Sequence, residues 1–188
     1  MKPHGKWVFS NIEKEILTIG ELNMKLVKIW EANLEKAYEL QTSFPQEESG
    51  FCNSAYGYTL EQFAEYVENC RLHSMGINLK EGFVPDTIFI LVDDNENYVG
   101  IFNLRHYLNE FLANGPGHIG YGISSKYRRK GYVTEGLALV LEEAKKIGIE
   151  EAYLSCLKTN VGSYRAQQKN GAVIRREDDL RYYTKITL

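Results

Sequence analysis

At 188 residues the chain is long enough to bury one core without disulfide or metal staples, and 44% hydrophobic with 25% charged residues excludes collagen-like, disordered and low-complexity classes. A formal charge of -3 argues against non-specific polyanion binding, so no nucleic-acid partner is expected. Three cysteines, Cys52, Cys70 and Cys156, are odd in number and far apart, and the longest apolar run, Ile88 to Val92, is far short of the ~20 residues a membrane span needs. The expectation is a cytoplasmic protein with no metal site, no export signal and no membrane partner.

Residues 1–22 read as an N-terminal extension, and residues 23–188 as one domain. Leu26 and Val27 begin a strand-like run, and Leu34, Ala37, Tyr38 and Leu40 then recur at helical spacing within 31–40. Residues 44–58 are rich in Pro, Ser, Gly and Asn and predict a loop. Thr59 with Gln62 three residues on is a capping-box signature, and Leu60, Phe63, Ala64, Val67 and Cys70 or Arg71 supply the stripe of the helix it opens. Residues 87–92 and 98–104 flank turn chemistry at 93–97 and predict a β-hairpin. A loop over 109–117 precedes a strand at 118–124. Val133, Leu137, Val140, Leu141, Ala144 and Ile147 share one face of a long helix that Gly148 stops. With a strand at 151–157 this predicts a right-handed βαβ unit with parallel strands. A short helix at 161–169 ends at Asn170-Gly171, and two alternating runs, 173–176 and 180–186, close the chain.

Gly115-Pro116-Gly117-His118-Ile119-Gly120 matches the letters of a dinucleotide fingerprint, but that site needs a helix directly after it, and 119–123 alternates like a strand. The stronger signal is Ser124-Ser125-Lys126-Tyr127-Arg128-Arg129-Lys130-Gly131-Tyr132-Val133-Thr134, a basic loop lodged between a strand and the long helix. A helix start exposes unpaired N–H groups and the positive end of the macrodipole, and Gly131, without a Cβ, lets a phosphate approach the backbone.

Arg128-x-x-Gly131-x-Val133 resembles the R/Q-x-x-G-x-G/A pyrophosphate loop of the GNAT superfamily of acyl-CoA-dependent N-acetyltransferases, with Val133 at a position where that family has a small residue. Asn160-Val161-Gly162-Ser163, followed by Asn170-Gly171-Ala172, resembles that family's second cofactor element. Asn160 is also a natural helix N-cap. The resemblance covers residues 24–188 and implies an α/β (α+β, mixed-sheet) domain in the order β-α-α-β-β-β-α-β-α-β-β, its sheet splayed between strands 118–124 and 151–157. A further likeness, to an uncharacterised bacterial branch of predicted acetyltransferases, rests on Asn103-Leu104-Arg105-His106-Tyr107-Leu108-Asn109 and Gly117-His118-Ile119-Gly120-Tyr121.

The resemblance implies transfer of an acetyl group from acetyl-CoA to a primary amine of a small molecule or peptide, by direct attack in a ternary complex. The main-chain groups of Gly122 and Ile123 would hold the pantetheine amide and thioester oxygen. Arg128, Arg129, Lys130, Gly131, Val133 and Thr134 would cradle the pyrophosphate, and Asn160 and Ser163 would complete the cofactor contacts. Arg105, His106 and Asn109 are acceptor-side candidates, and His118 is a candidate base or acceptor contact. That family's usual acid is a Tyr seven residues past the Asn. This chain has Gln167 there, which leaves Tyr164, one turn earlier, as the candidate acid. A non-catalytic acyl-CoA sensor is the rival reading, an RNA-interacting protein a weaker one, and a homodimer is left open.

Overall fold

The computed structural model describes residues 24–188, so the N-terminal extension read at 1–22 lies outside the described residues. β1 (Lys25–Lys28) leads through a 3-10 turn to α1 (Leu34–Thr42), whose N-cap Asn33 accepts the Lys36 amide. A two-residue hairpin follows, β2 (Glu47–Glu48) and β3 (Phe51–Cys52), in the stretch expected to be a loop. Its turn, Ser49-Gly50, takes positive φ at both residues (51° and 89°), the geometry that a tight hairpin needs. α2 (Leu60–Ser74) opens on the expected capping box, with Thr59 and Gln62 exchanging bonds. Phe63 and Cys70 are buried on it, whereas Leu60, expected in the stripe, is exposed.

β4 (Asp86–Val92) and β5 (Tyr98–Arg105) form the expected hairpin. Asp93 shapes its turn by accepting the amides of Asn95 and Asn97. A short helix, α3 (Glu110–Asn114), capped by Asn109, interrupts the second expected loop. β6 (Ile119–Ile123), α4 (Tyr132–Lys146), β7 (Glu151–Leu157), α5 (Val161–Lys169), β8 (Val173–Glu177) and β9 (Arg181–Thr187) then complete the chain.

The strands form two larger sheets, β1-β4-β5-β6 and β7-β9-β8, beside the small β2-β3 pair. β4 explains why the run 88–92 is apolar throughout. Phe89 and Leu91 face α4 with Leu137, Val140, Leu141 and Ala144, while Ile88, Ile90 and Val92 face α1 and α2 with Ala37, Leu40 and Phe63. α4 lies very close to the sheet at Gly136, where a Cβ would stand 2.4 Å from the Phe102 ring.

The expected parallel ladder between strands 118–124 and 151–157 is not formed, because every ladder among the described residues is antiparallel. β6 and β7 belong to different sheets and meet through one antiparallel bridge, Gly117 with Leu154. The joint is tight: a Cβ on Gly117 would sit 2.1 Å from the Tyr153 carbonyl oxygen, and Gly117 has φ +75°. His118 reinforces it, donating its amide to Tyr153 O at 2.6 Å and accepting the Tyr153 amide at Nδ1 at 3.0 Å. Beyond this joint the sheets part, which is the expected splay.

Candidate active site

Two clefts open where the sheets part. The first, of about 360 Å³, is lined by Gly122, Ile123, Arg128, Arg129, Gly131, Val133, Asn160 and Ser163 from the expected cofactor set, together with Phe44, Phe51 and Tyr121. The second, of about 490 Å³, lies beside Asn103, Arg105, Gly120, Cys156, Arg181 and Tyr183. Both are within the range of small-molecule sites. Ser49, Phe51, Tyr121, Asn160 and Ser163 line both, so they mark the place where a group held in one cleft meets a group held in the other.

The antiparallel ladder decides which main-chain groups of β6 are free. Arg105 donates to His118 O and Ser124 donates to Val99 O, so the even-numbered positions from 118 to 124 bond to β5. The amide and carbonyl of Gly122 are therefore used within the sheet, which removes them from the role expected of them. The groups that point away from β5 are those of Tyr121 and Ile123, and of these the Ile123 carbonyl is already taken by Arg128 Nε. Gly122 matters for another reason: a Cβ there would meet Phe44 at 3.0 Å and Phe51 at 3.2 Å.

In the basic loop, Arg129 (φ 63°) and Gly131 (φ 84°) turn the backbone so that Gly131 becomes the N-cap of α4, with open space where its Cβ would be. The amides from Arg129 to Val133 bond to no backbone carbonyl among the described residues. The Thr134 amide departs from expectation, since it donates to Gly131 O at 2.9 Å, and Thr134 does not line the cleft. Lys130 does not line it either; its Nζ lies 5.6 Å from the centre of the Tyr127 ring. The Arg128 guanidinium is also committed elsewhere. Its Nε donates to Ile123 O at 3.0 Å, and its two terminal nitrogens grip Glu48 at 2.7 and 2.5 Å. Arg128 thus ties the β2-β3 hairpin to the end of β6, and its bonds hold the Glu48 carboxyl below the usual carboxylate range.

Asn160 caps α5 by accepting the Ser163 amide at 3.1 Å, and its side chain faces both clefts. Tyr121, which the sequence reading passed over, belongs to the wall shared by the two clefts and carries a hydroxyl. That hydroxyl lies 2.7 Å from Ser163 Oγ and accepts from Gln167 Nε2 at 3.2 Å, while Gln167 Oε1 accepts from Thr184 at 2.8 Å. Gln167, the residue in place of the expected acid, is fully buried and orients the Tyr121–Ser163 pair. Burial pushes the Tyr121 pKa up, which keeps its proton in place at neutral pH.

Tyr164 lies elsewhere: it stacks on Tyr182 at 4.5 Å and lines neither cleft. The i,i+4 pair Ser163 and Gln167 faces Tyr121, and position 164 is turned a step of about 100° away from 163. His118 also lines neither cleft. It is buried in the joint between the sheets, and its pKa falls to about 4 because burial disfavours its charged form and Arg105 repels it. His106 bonds Thr87 at 2.9 Å and Asn109 caps α3; both stand outside the clefts. Of the three acceptor-side candidates only Arg105 lines the second cleft.

Asn103 lies beside it. Its Nδ2 donates to Asp86 Oδ2 at 2.7 Å, which fixes the amide's orientation, and its Oδ1 is buried with no hydrogen-bond partner among the described residues. Burial raises the Cys156 thiol pKa, making it a poor nucleophile at neutral pH.

The comparisons identify the family and the fold. Residues 23–173 match the family model described as an acetyltransferase (GNAT) domain. A search of curated proteins finds no match. Among solved structures, one titled as apo FdhC, a nucleotide-linked sugar GNAT, superposes with TM-score 0.61 at 19% identity, covering 89% of this chain and 88% of that one. A ribosomal-protein-S5-alanine acetyltransferase from Vibrio fischeri superposes with TM-score 0.60 at 17% identity over 87% and 91% of the two chains. The microcin C7 self-immunity acetyltransferase MccE, in complex with acetyl-CoA and AMP, gives TM-score 0.62 at 15% identity over 88% and 92%. The chain is an acyltransferase and belongs to the GNAT acetyltransferases.

Proposed function

We propose that the protein transfers an acetyl group from acetyl-CoA, held in the first cleft, to the amine of an acceptor held in the second. The observation that carries the proposal is that the two clefts share a wall built around the Tyr121–Ser163 hydroxyl pair. The free amides from Arg129 to Val133, at the start of a 15-residue helix, suit a pyrophosphate. The open space over Gly131 is where a Cβ would obstruct it. The amide and carbonyl of Tyr121 and the amide of Ile123, which point away from β5, suit the pantetheine arm and the acyl carbonyl.

Acetyl-CoA supplies a thioester whose thiol, near the ~8.5 of cysteine, is already a fair leaving group. Fixed amide dipoles of β6 stabilise the carbonyl oxygen as it gains charge, the largest single contribution a site of this kind makes. As the C–S bond breaks, Tyr121, oriented by Gln167, passes its proton through or beside Ser163 to the sulfur, and the proton lost by the nitrogen as the amide forms restores the tyrosine, directly or through solvent. No histidine lines either cleft among the described residues. Instead, Arg105 and Arg181 place two cations around the second cleft. Like charge disfavours an ammonium, so the acceptor amine is shifted toward its free base, the form that attacks. With Cys156 held as a thiol, attack is direct rather than through an acyl-enzyme.

The test is acetyl-CoA-dependent release of free thiol across a panel of small amines and peptides, with the acetylated product identified by mass. Turnover with an N-acetylated product is expected. Acetyl-CoA binding without turnover on any amine would favour the sensor reading instead.

A further inference from the structure

The positive charge of the second cleft bears on which acceptor it binds as well as on the protonation of the amine. Arg105 and Arg181 both line it, and no Asp or Glu does among the described residues, in a chain whose formal charge is -3. Neither arginine is in an ion pair among the described residues. Arg105 spends one terminal nitrogen on Gly117 O at 3.0 Å, and the Arg181 guanidinium lies 3.5 Å from where a Gly50 Cβ would be, with no hydrogen bond from its side chain among the described residues. The nearby carboxylate, Asp86, is absent from the cleft wall and holds Asn103 Nδ2. Asn103 Oδ1 is closed off from the cleft and without a partner among the described residues, so the two guanidinium groups are the charged groups the cleft presents. Gly120, opposite Asn103 on β6, adds no side chain and leaves open space.

Resting on the acyl-transfer reading, we propose that the acceptor is a small amine carrying an oxyanion, a carboxylate or a phosphate, bound by Arg105 and Arg181. Guanidinium groups suit such oxyanions because their donors form a planar fork. A cleft of about 490 Å³ has room for a small molecule, and this separates the proposal from one of a folded protein acceptor.

The experiment is calorimetric titration of the full chain, saturated with CoA, using matched pairs. One arm compares amino acids with their carboxamides, and another compares phosphoethanolamine with ethanolamine. The anionic member of at least one arm is expected to bind about tenfold or more tightly, and the favoured arm separates carboxylate from phosphate. Arg181→Gln should bring the two members to within about twofold while acetyl-CoA affinity stays unchanged. Equal affinity within both arms, no binding by any member, or a preference that survives Arg181→Gln would overturn the proposal. So would tighter binding of an acidic peptide than of any small amine. Thiol release measured in parallel keeps the two claims apart: selective binding of the anionic member without acetylation would sink the transferase reading and leave this one standing.

Discussion

The Tyr121 hydroxyl stands 2.7 Å from Ser163 Oγ, joining the edge strand of one sheet to the helix that follows the first strand of the other. Because Gln167 donates to the same oxygen, the Tyr121 proton is directed to Ser163 or to a ligand between the clefts. Tyr121→Phe is therefore expected to lower kcat by about 10²-fold or more, with little change in acetyl-CoA affinity. Tyr164→Phe should cost tenfold or less, since that ring only stacks on Tyr182. Steady-state kinetics on both variants decide the matter, and the reverse ranking would return the acid role to Tyr164.

His118 predicts a pH dependence of stability. Its pKa is depressed from 6.5 to about 4 in the folded chain, so between these values the unfolded chain binds the proton more readily. Stability should fall as pH drops from about 6.5 toward 4 and the effect should level off below. His118→Asn retains an acceptor for the Tyr153 amide but does not titrate. Urea midpoints of the two proteins at pH 7 and pH 5 should show the wild type losing more stability than the variant. Parallel losses would contradict the assignment.

The Glu48–Arg128 pair is half-exposed and contributes less than about 1 kcal/mol to folding, but it holds the β2-β3 hairpin at the mouth of the first cleft. Glu48→Gln is expected to leave the melting temperature nearly unchanged and to raise the KM for acetyl-CoA several-fold. An unchanged KM would show that the hairpin needs no such tie.

Local signals carried most of the fold. The spacing of Leu137, Val140, Leu141 and Ala144 identifies α4 and Gly148 follows its end, and Thr59 with Gln62 marks the start of α2. The two missed elements, β2-β3 and α3, are only two residues per strand and five residues long, too short for a periodic signal to separate from turn chemistry. The parallel ladder failed for a different reason. The β-α-β order is local, but the joint at Gly117, His118 and Tyr153 is not, and it lets the sheets part before a ladder can form. The loop at 128–134 was legible as a site because its residues are contiguous. Yet the attachment of Arg128 to Glu48, 80 positions away, and of Tyr121 to Ser163, 42 positions away, has no local signature. Gln167 was the one available hint: a buried amide at that position needs a polar partner, and Tyr121 is that partner.

The measurement that tests the account most directly is the thermal and denaturant stability of the chain with and without acetyl-CoA, for the wild type and for Gly131→Asp. Gly131 has open space at its Cβ position and lies among the free amides at the start of α4, so a carboxylate there opposes a bound pyrophosphate; because its φ of 84° strains any side chain and lowers the variant's own stability, the readout is the shift that acetyl-CoA produces in each protein. At 100-fold over its dissociation constant, acetyl-CoA should stabilise the wild type by about 2.7 kcal/mol and the variant by little or nothing. No stabilisation of the wild type, or an undiminished effect in Gly131→Asp, would contradict the placement of the acyl donor in the first cleft.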